Sequence, residues 1–382
     1  MSRSGRGHVA GPLAPYGESF RESLLARGYT WDSAAHLVHL MAHLSRWLQG
    51  RGLGPSELST AVVEDFLAAR RAAGYRHLIS PRALAGLVEH LHARGVLAAA
   101  EPAGPGTEAD RLLVRYEEYL ARERGLAAAS IRIYLPVARR FLAQVCPDGV
   151  VALDGVGGAR VTEFVRGQCQ DRNVAAAKVP VTGLRSLLRF LYLDERMSVL
   201  LTAAVPGVAC WQLSALPKTL GGADVSRMLG RCDRGGALGR RDFAILTVLV
   251  RLGLRAGEVS ALDLADFGWR VGRITVRGKG GRRDVLPLPV DVGQAVAAWL
   301  HPGRPPGTGS PAVFTGDRAP HARLAPTAVS AVVRRTCHRA GIRPCGAHRL
   351  RHTTASELLR AGADLTEVGQ VLRHARPLTT AI

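Results

Sequence analysis

The chain has 382 residues, of which 47% are hydrophobic and 21% charged, a balance typical of folded proteins and sufficient for two or three domains. Its 51 lysines and arginines outnumber its 31 aspartates and glutamates, so the net charge is +20. No uncharged apolar stretch reaches the roughly 18 residues of a membrane span, and the N-terminus lacks the apolar core of a signal peptide. We therefore expect a folded protein that is neither embedded in a membrane nor exported.

The six cysteines are scattered along the chain, and no two of them form a CxxC pair. Scattered cysteines are typical of reduced thiols in a cytosolic protein, and their spacing matches no zinc-binding pattern. We therefore expect a cytoplasmic protein without a cofactor and without a bound metal.

The first part of the chain predicts helices. Residues 1–16 are rich in Gly, Pro and Arg and predict a flexible tail. Residues 18–97 predict a helical module. Within it, three helices are predicted, at 33–48, 59–74 and 81–95. The first has apolar side chains at helical spacing, and the other two have residues typical of helix starts and ends.

A linker by composition, at 101–110, separates this module from a second helical block at 111–200. The second block echoes the first at offsets of 94 to 100 residues. The matching positions are Trp47-Leu48 with Phe141-Leu142, Phe66 with Phe164, and Leu84, Leu87 and Leu91 with Leu184, Leu187 and Leu191. Both a true duplication and a chance likeness between two amphipathic blocks explain this weak repeat.

Residues 201–222 contain prolines and glycines and predict an extended connector. The rest predicts a mixed domain. It begins with a helix over 240–262 that breaks at Gly253 and restarts, followed by a β-hairpin over 273–289. Further helices are predicted at 289–300, 325–341 and 347–362.

Positive charge is concentrated in this last part of the chain. Residues 220–382 hold 25 lysines and arginines against 12 aspartates and glutamates. Such an excess indicates a polyanionic partner, most often nucleic acid. The chain has 48 arginines and 3 lysines, so a compositional bias explains Arg over Lys. The bias does not explain the shortage of acidic residues, and nucleic acid is therefore the preferred interpretation.

Lys279 lies at the tip of the predicted hairpin, between glycines. A lysine gives up its proton when its pKa is lowered, whereas an arginine does not. The position suits a proton donor or a mobile phosphate contact, and a solvated turn lysine is the alternative. The segment is not a Walker loop, because Lys279 is followed by Gly280 and not by Ser or Thr.

Arg255 follows the helix break, and Glu258 comes three residues later. A planar fork donor at a helix start suits bidentate binding of phosphate. The alternative is a structural Arg–Glu pair.

His348, Arg351 and His352 lie on one face of a predicted helix. Two His residues four apart also occur at metal sites, but Arg351 would place a cation beside the metal. A phosphate clamp with a proton-accepting His fits these charges better.

In this order, these segments resemble the tyrosine recombinases, the phage integrase or Xer-like family. The motifs are LRxxE at 254–258, GKG at 278–280, HxLRH at 348–352, and LRHARPLTT at 372–380, where the family has LGHSSxxTT. Four motifs in the family's order are highly specific. The resemblance covers residues 220–382 strongly and 111–200 more weakly.

The resemblance implies a role for each matching residue. Arg255 and Arg351 would hold the non-bridging oxygens of one DNA phosphate. Lys279 would protonate the departing 5′ oxygen. His348 would accept a proton, and His374 would donate a further hydrogen bond to the transition state.

In this family the nucleophilic tyrosine stands nine residues after the second His of these motifs, which here is position 383. The chain ends at Ile382, and all seven tyrosines lie at or before Tyr192. We therefore expect a recombinase that lacks its nucleophile because it is truncated. The alternatives are a non-catalytic DNA-binding accessory protein and an inert remnant.

The fold implied by the resemblance is mainly α, with a small antiparallel sheet in an α+β catalytic domain. The expected domains are a tail and extra helical module at 1–105, a helical, SAM-like core-binding domain at 106–200, a linker at 201–222 and a catalytic domain at 223–382. Such proteins clamp duplex DNA in a C shape. They recombine or integrate the DNA of mobile elements as homo-oligomers, with a tetramer on two DNA sites. A full-length recombinase partner is the alternative to a homo-oligomer.

Overall fold

The computed structural model describes residues 9–97, 106–208, 219–278, 281–305 and 309–373. These residues are mainly helical and contain one three-stranded antiparallel sheet, so the predicted fold class is confirmed. The chain divides into two compact units, one of residues 1–99 and 215–382 and the other of residues 100–214. Among the described residues, no helix combines the length and the apolar character needed to cross a membrane.

Residues 9–97, called here the N-terminal module, fold around their own hydrophobic core. Its helices are α1 (Gly17–Ala26), α2 (Trp31–Gln49), α3 (Thr60–Ala72) and α4 (Pro81–Ala93). The local sequence explains the starts of two of them. The hydroxyls of Thr30 and Ser59 accept hydrogen bonds from backbone N–H groups at the starts of α2 and α3, each at 3.3 Å.

The prediction of a flexible tail at 1–16 is wrong for the part that the structure describes. Leu13 is fully buried, and its N–H donates to the Ser45 hydroxyl at 3.0 Å. Val9 is also buried in the core of the N-terminal module. These contacts depend on α2, and the glycine-rich composition of the tail does not reveal them.

Residues 106–208, called here the second module, have a separate core. Their helices are α5 (Glu108–Glu118), α6 (Ala128–Val145), α7 (Gly158–Cys169) and α8 (Val174–Leu193). Thr107 and Asp110 form a capping box at α5, and the Asn173 side chain caps α8. The predicted connector at 201–222 begins with a 3₁₀ turn at Leu201–Ala204, and its residues 209–218 lie outside the described residues.

The two modules repeat the same packing. In each, an edge-to-face aromatic pair joins the second and third helices: the ring centroids of Trp47 and Phe66 are 5.6 Å apart, and those of Phe141 and Phe164 are 5.2 Å apart. In each, three leucines of the fourth helix are fully buried: Leu84, Leu87 and Leu91 in α4, and Leu184, Leu187 and Leu191 in α8. This match of packing roles favours duplication over chance likeness.

Residues 219–373, called here the C-terminal domain, form the third core. The elements are α9 (Gly222–Gly230), α10 (Ala237–Leu252), α11 (Ala256–Ala261), β1 (Phe267–Gly268), β2 (Arg273–Arg277), β3 (Arg283–Pro287), α12 (Val290–Ala298), α13 (Pro326–Arg339), α14 (Ala347–Arg360) and α15 (Leu365–Val371). The strands lie in the order β1-β2-β3, and Thr275 faces Val285 across the central pair.

Helix α10 is the centre of this domain. Its apolar side chains Ile245, Val248 and Leu249 are fully buried, and it packs against α12, α13 and α14. Each such side chain removed from water stabilises the fold by about 1.5–3 kcal/mol. The predicted break at Gly253 is confirmed, because this residue ends α10 with φ +57°. The break positions Arg255 at the start of α11.

Candidate functional site

Arg255 is held by the carboxylate of Glu258. The Arg255 N–H donates to Glu258 Oε2 at 2.8 Å, and its Nη1 donates to Glu258 Oε1 at 2.7 Å. Glu258 is buried, while the Arg255 side chain is 41% exposed. The guanidinium is therefore oriented by a buried acid and still has donors that face solvent.

Arg351, on α14, is the buried arginine of the site, with 2% exposure. Its Nη1 donates to the Gly253 carbonyl at 2.6 Å, and its Nη2 donates to the Leu372 carbonyl. Burial, Arg255 and Arg373 lower the pKa of Arg351 to about 10, against the opposing effect of Glu258. The group therefore stays charged at neutral pH, and its charge acts from a site with little screening by water.

Glu258 also binds a second buried cation, Arg373. Arg373 Nη2 donates to Glu258 Oε2 at 2.8 Å, and its Nε lies 3.8 Å from Asp284 Oδ2 in β3. Arg373 is 4% exposed and Glu258 5% exposed. One buried carboxylate thus joins the start of α11 to the segment after α15, and the opposite charges compensate each other's burial.

Two backbone positions make this arrangement possible. A Cβ added to Gly253 would lie 2.5 Å from Leu372 Cδ2 and would require that side chain to move, and the left-handed φ of +57° at this position favours glycine over any other residue. Arg373 has φ +57°, a left-handed conformation that costs a non-glycine residue about 1–2 kcal/mol. The LGH motif of the resembling family has glycine at this position. The ion pair of Arg373 with Glu258 offsets the cost here.

His348 and His352 stand one turn apart on α14, with ring centroids 4.4 Å apart. Partial burial, His352, Arg351 and Arg255 lower the pKa of His348, in that order of influence. Burial and Arg351 lower the pKa of His352. Both rings are therefore neutral at pH 7, and a neutral imidazole is able to accept a proton.

The structure thus brings together three of the five residues predicted from sequence, namely Arg255, His348 and Arg351. Lys279 and His374 lie outside the described residues. Among the described residues, no group of three or more His, Cys, Asp or Glu side chains is placed to hold a metal ion.

Comparison with known proteins supports the motif pattern. The model of the phage integrase family matches residues 218–382. The putative integrase/recombinase y4rA of Sinorhizobium fredii is 39% identical over 386 residues, covering 97% of this chain and 91% of the relative. The chain belongs to the tyrosine recombinase, or phage integrase, family. The tyrosine recombinase XerD of Mycobacterium tuberculosis is 31% identical, covering 70% of this chain and 90% of the relative.

Solved structures of recombinases share the fold. A lambda integrase (75–356) dimer bound to a COC′ core site has a TM-score of 0.55 at 17% identity, covering 70% of this chain and 96% of that one. The XerH recombinase in a post-cleavage complex with a palindromic difH substrate has a TM-score of 0.53 at 19% identity, covering 83% and 89%. A lambda integrase tetramer bound to a Holliday junction has a TM-score of 0.55 at 17% identity, covering 85% and 86%.

Two positions of the candidate site, Glu258 and Arg373, have contacts that the sequence did not predict. Glu258 was weighed only as the partner of Arg255, and its second bond to Arg373 depends on contacts 115 residues apart. Arg373 carried one signal, since it replaces the glycine of the family's LGH motif. In the structure this cation pairs with the buried Glu258.

Proposed function

We propose that this recombinase binds the backbone of duplex DNA and that its C-terminal domain acts on one phosphodiester. The observation that supports this most is the convergence of Arg255, Arg351 and His348 around the buried acid Glu258. Without a metal ion, a phosphoryl transfer needs fixed cations at the phosphate oxygens. Held guanidinium groups supply that charge without reorganisation in the transition state.

Arg255 makes the direct contact with the phosphate in this proposal. Its solvent-facing donors bind non-bridging oxygens, while Glu258 keeps the fork in place. Arg351 supports it from the buried side. Its Nη2 exchanges the Leu372 carbonyl for a phosphate oxygen when DNA binds, and its Nη1 remains on Gly253.

His348 accepts a proton, since its neutral state at pH 7 leaves a free ring nitrogen. Lys279 protonates the departing 5′ oxygen, and His374 donates a further hydrogen bond. A tyrosine at position 383 would attack phosphorus and form a 3′-phosphotyrosyl bond, which conserves the energy for rejoining. The assignments of Lys279, His374 and the tyrosine rest on the family's motifs.

The domain assignment follows the same proposal. Residues 106–200 are the core-binding domain, 223–382 the catalytic domain, and 201–222 the linker of a clamp around DNA. The protein acts in the cytoplasm on the DNA of a mobile element, as a tetramer on two sites or beside a full-length recombinase.

The test is binding of a fluorescent 30-base-pair duplex at several salt concentrations. We expect affinity to fall steeply with salt, because phosphate contacts release counterions. Arg255→Ala removes one contact, so the slope of log K against log salt should decrease by about 0.9. Arg360→Ala, at the exposed end of α14, is the charge-matched control. Equal slopes for both variants would contradict the role of Arg255.

Cleavage is tested on a nicked suicide substrate. The 382-residue chain should form no covalent adduct, and a chain extended by Tyr and a short helix after Ile382 should form one. Arg255→Ala in the extended chain should abolish the adduct. An adduct with the 382-residue chain would mean that the nucleophile is misplaced here.

A second candidate function is DNA binding without strand cleavage. The observation that favours it is the excess of positive charge in residues 220–382, which supports DNA binding and requires no nucleophile. The DNA sequence past the codon for Ile382 distinguishes the two functions, because an in-frame tyrosine codon there favours the active recombinase.

A further inference from the structure

The N-terminal module contains a buried arginine whose charge has no acid to pair with. Arg70, near the end of α3, is 8% exposed. Its Nε and Nη1 atoms are buried and have no hydrogen-bond partner among the described residues. Buried guanidinium donors are normally satisfied, because each lost hydrogen bond costs about 1–3 kcal/mol. Two donors of Arg70 are therefore available to bind a ligand.

Other cationic and aromatic groups surround Arg70. Its guanidinium carbon lies 4.0 Å from the ring centroid of Tyr75, and the Tyr75 ring contacts His43 edge to face at 5.7 Å. The Nε2 atoms of His43 and His39 are 3.1 Å apart. Partial burial, His39, Arg46 and Arg70 together lower the pKa of His43. We call His39, His43, Arg46, Arg70 and Tyr75 the open cluster.

The open cluster has no carboxylate. The described residues provide no ion pair for Arg46 or Arg70, although the same module pairs Arg21 with Glu18 and Arg27 with Glu89. The attraction of Arg70 to the faces of Tyr75 and Phe66 offsets part of its burial. It does not satisfy the Nε and Nη1 donors, which an anion would satisfy.

At the equivalent positions of the second module, the arginine donor has an acceptor. In the alignment of the repeat, Arg46 matches Arg140 at offset 94, and Arg70 matches Gln168 at offset 98. In the second module, Arg140 Nη1 donates to Gln168 Oε1 at 3.1 Å. The N-terminal module has a cation where the second module has the acceptor. The donor–acceptor pair is thereby replaced by two donors.

The histidines of the open cluster are also specific to the N-terminal module. His39 and His43 match Ile133 and Val137 at the same offset of 94. In the second module these positions are apolar, and Val137 is buried. Three positions, His39, His43 and Arg70, therefore differ from the second module in the same direction, toward cations or groups that become cations on protonation, while Arg46 is an arginine in both modules.

We propose that the open cluster is an anion site that binds a backbone phosphate of duplex DNA, so that the N-terminal module is a second DNA-contacting unit. Arg70 binds the phosphate from the buried side and Arg46 from the exposed side. The paired His39 and His43 share one hydrogen bond. The negative charge of a bound phosphate favours uptake of a proton from solvent by this pair, and both rings are then able to donate to the phosphate. Duplex DNA as the source of the phosphate rests on the proposed function.

Arg70→Gln in the full chain is the decisive variant. It recreates the Arg–Gln pair of the second module, so the fold is retained while the anion site is lost. We expect about tenfold weaker binding of a 30-base-pair duplex near 0.1 M salt, as for the loss of one charge-assisted contact. The slope of log K against log salt should decrease by about 0.9. The measurement is fluorescence anisotropy over a salt series.

Arg51→Gln is the matched control. Arg51 lies over the Trp47 ring at 4.3 Å and 4.0 Å from Asp65 Oδ2 in the same module, so this variant also loses one positive charge and a cation–π contact, but from an exposed and paired arginine. It should bind DNA within about twofold of the parent chain, as expected for an exposed charge. If Arg70→Gln and Arg51→Gln weaken binding equally, Arg70 contributes only bulk charge and the anion site is wrong.

Arg46→Gln is the second variant, chosen because Arg46 is exposed and its loss leaves the core intact. It should weaken binding about three- to tenfold, and unchanged binding would overturn the site even if Arg70→Gln failed to fold.

A competition with inorganic phosphate at constant ionic strength distinguishes free phosphate from DNA. Millimolar phosphate lowering the DNA affinity of the parent chain to that of Arg70→Gln, while the affinity of the variant stays unchanged, would mean that free phosphate occupies the site in preference to DNA. That outcome would overturn the DNA assignment. If the parent chain binds no DNA, the proposed function fails as well. If the parent binds and both variants match it, this inference alone fails.

Discussion

The C-terminal domain and the N-terminal module each gather cations, but they hold them differently. Around Glu258, the arginines 255 and 373 share one buried carboxylate, and Arg351 donates to two backbone carbonyls. In the open cluster, Nε and Nη1 of the buried Arg70 have no acceptor among the described residues, and no carboxylate pairs with its charge. Nε and Nη1 of Arg373 also have no hydrogen-bond acceptor there, but Glu258 binds its Nη2 and compensates its charge. The first site is oriented before a ligand arrives, and the second becomes oriented only by its ligand.

This difference matches two kinds of task. Catalysis needs donors fixed at the positions where charge develops, so it requires acceptors that hold each guanidinium in place. Binding alone tolerates a cation that gains its hydrogen bonds from the ligand. The comparison predicts that removing a cation destabilises the fold at the first site and not at the second.

Arg351→Ala should give the largest effect. It leaves the Gly253 and Leu372 carbonyls without their donor and opens space in the core, so we expect a loss of about 3 kcal/mol in the free energy of unfolding. Urea denaturation followed by circular dichroism measures it. Arg360→Ala on the same helix should change stability by less than about 0.5 kcal/mol. A loss below 1 kcal/mol for Arg351→Ala would mean that the buried contacts do not hold the site.

Glu258→Gln should have the next largest effect. The change keeps the shape of the side chain but removes the charge that compensates Arg373, so a buried cation remains unpaired. We expect a loss of about 2 kcal/mol, measured in the same way. Glu357→Gln, an exposed acid on α14, is the control, and equal stabilities of the two variants would refute the anchoring role of Glu258.

Arg70→Gln should leave stability almost unchanged. The variant removes a buried charge without a partner and gains a hydrogen bond to Arg46, so we expect a difference within about 0.5 kcal/mol of the parent chain. A loss as large as that of Arg351→Ala would erase the contrast between the two regions.

The pH dependence of stability should be the smallest effect and should affect both regions. Burial first of all lowers the pKa of His348 and His352 in one region and of His43 and His90 in the other, below the ordinary value of 6.5. Near pH 6 the unfolded chain therefore binds more protons than the folded one. The stability from these groups is present above pH 6.5 and is lost as the pH falls below it. Thermal unfolding at pH 7.5 and 5.5 measures this, and a higher melting temperature at pH 5.5 would contradict it.

Most elements of the fold were predictable from local sequence patterns. The cap at Ser59, the break at Gly253 and the alternation around Ile274 each determine structure within a few residues, and the corresponding elements are confirmed. Elements that depend on distant contacts were not predicted. Strand β1 has two residues and exists because Phe267 pairs with Ile274 of β2. Helices α9 and α15 were not predicted either, because their nine and seven residues are too few to give a clear helical pattern in the sequence.

The site was predictable to the extent that its motifs are local. Arg255, His348 and Arg351 stand in short, specific patterns, and the structure brings them together. The anchoring role of Glu258 was not predictable, because its second cation is distant in sequence. The open cluster was missed for a different reason. His39, Arg46 and Arg70 match no motif, and only comparison with Gln168 of the repeat reveals that an acceptor is missing.

The absence of a side chain at Gly253 has a genetic consequence. A Cβ there would lie 2.5 Å from Cδ2 of Leu372, which would have to move, and the left-handed φ of +57° would strain any other residue. A loss-of-function screen would therefore score position 253 as severely as a chemical group of the site, although the residue takes part in no proton or phosphoryl transfer. Leu372→Ala should relieve the clash but not the strain of the left-handed φ, so a partial rescue would identify the steric part of the loss and distinguish it from a catalytic one.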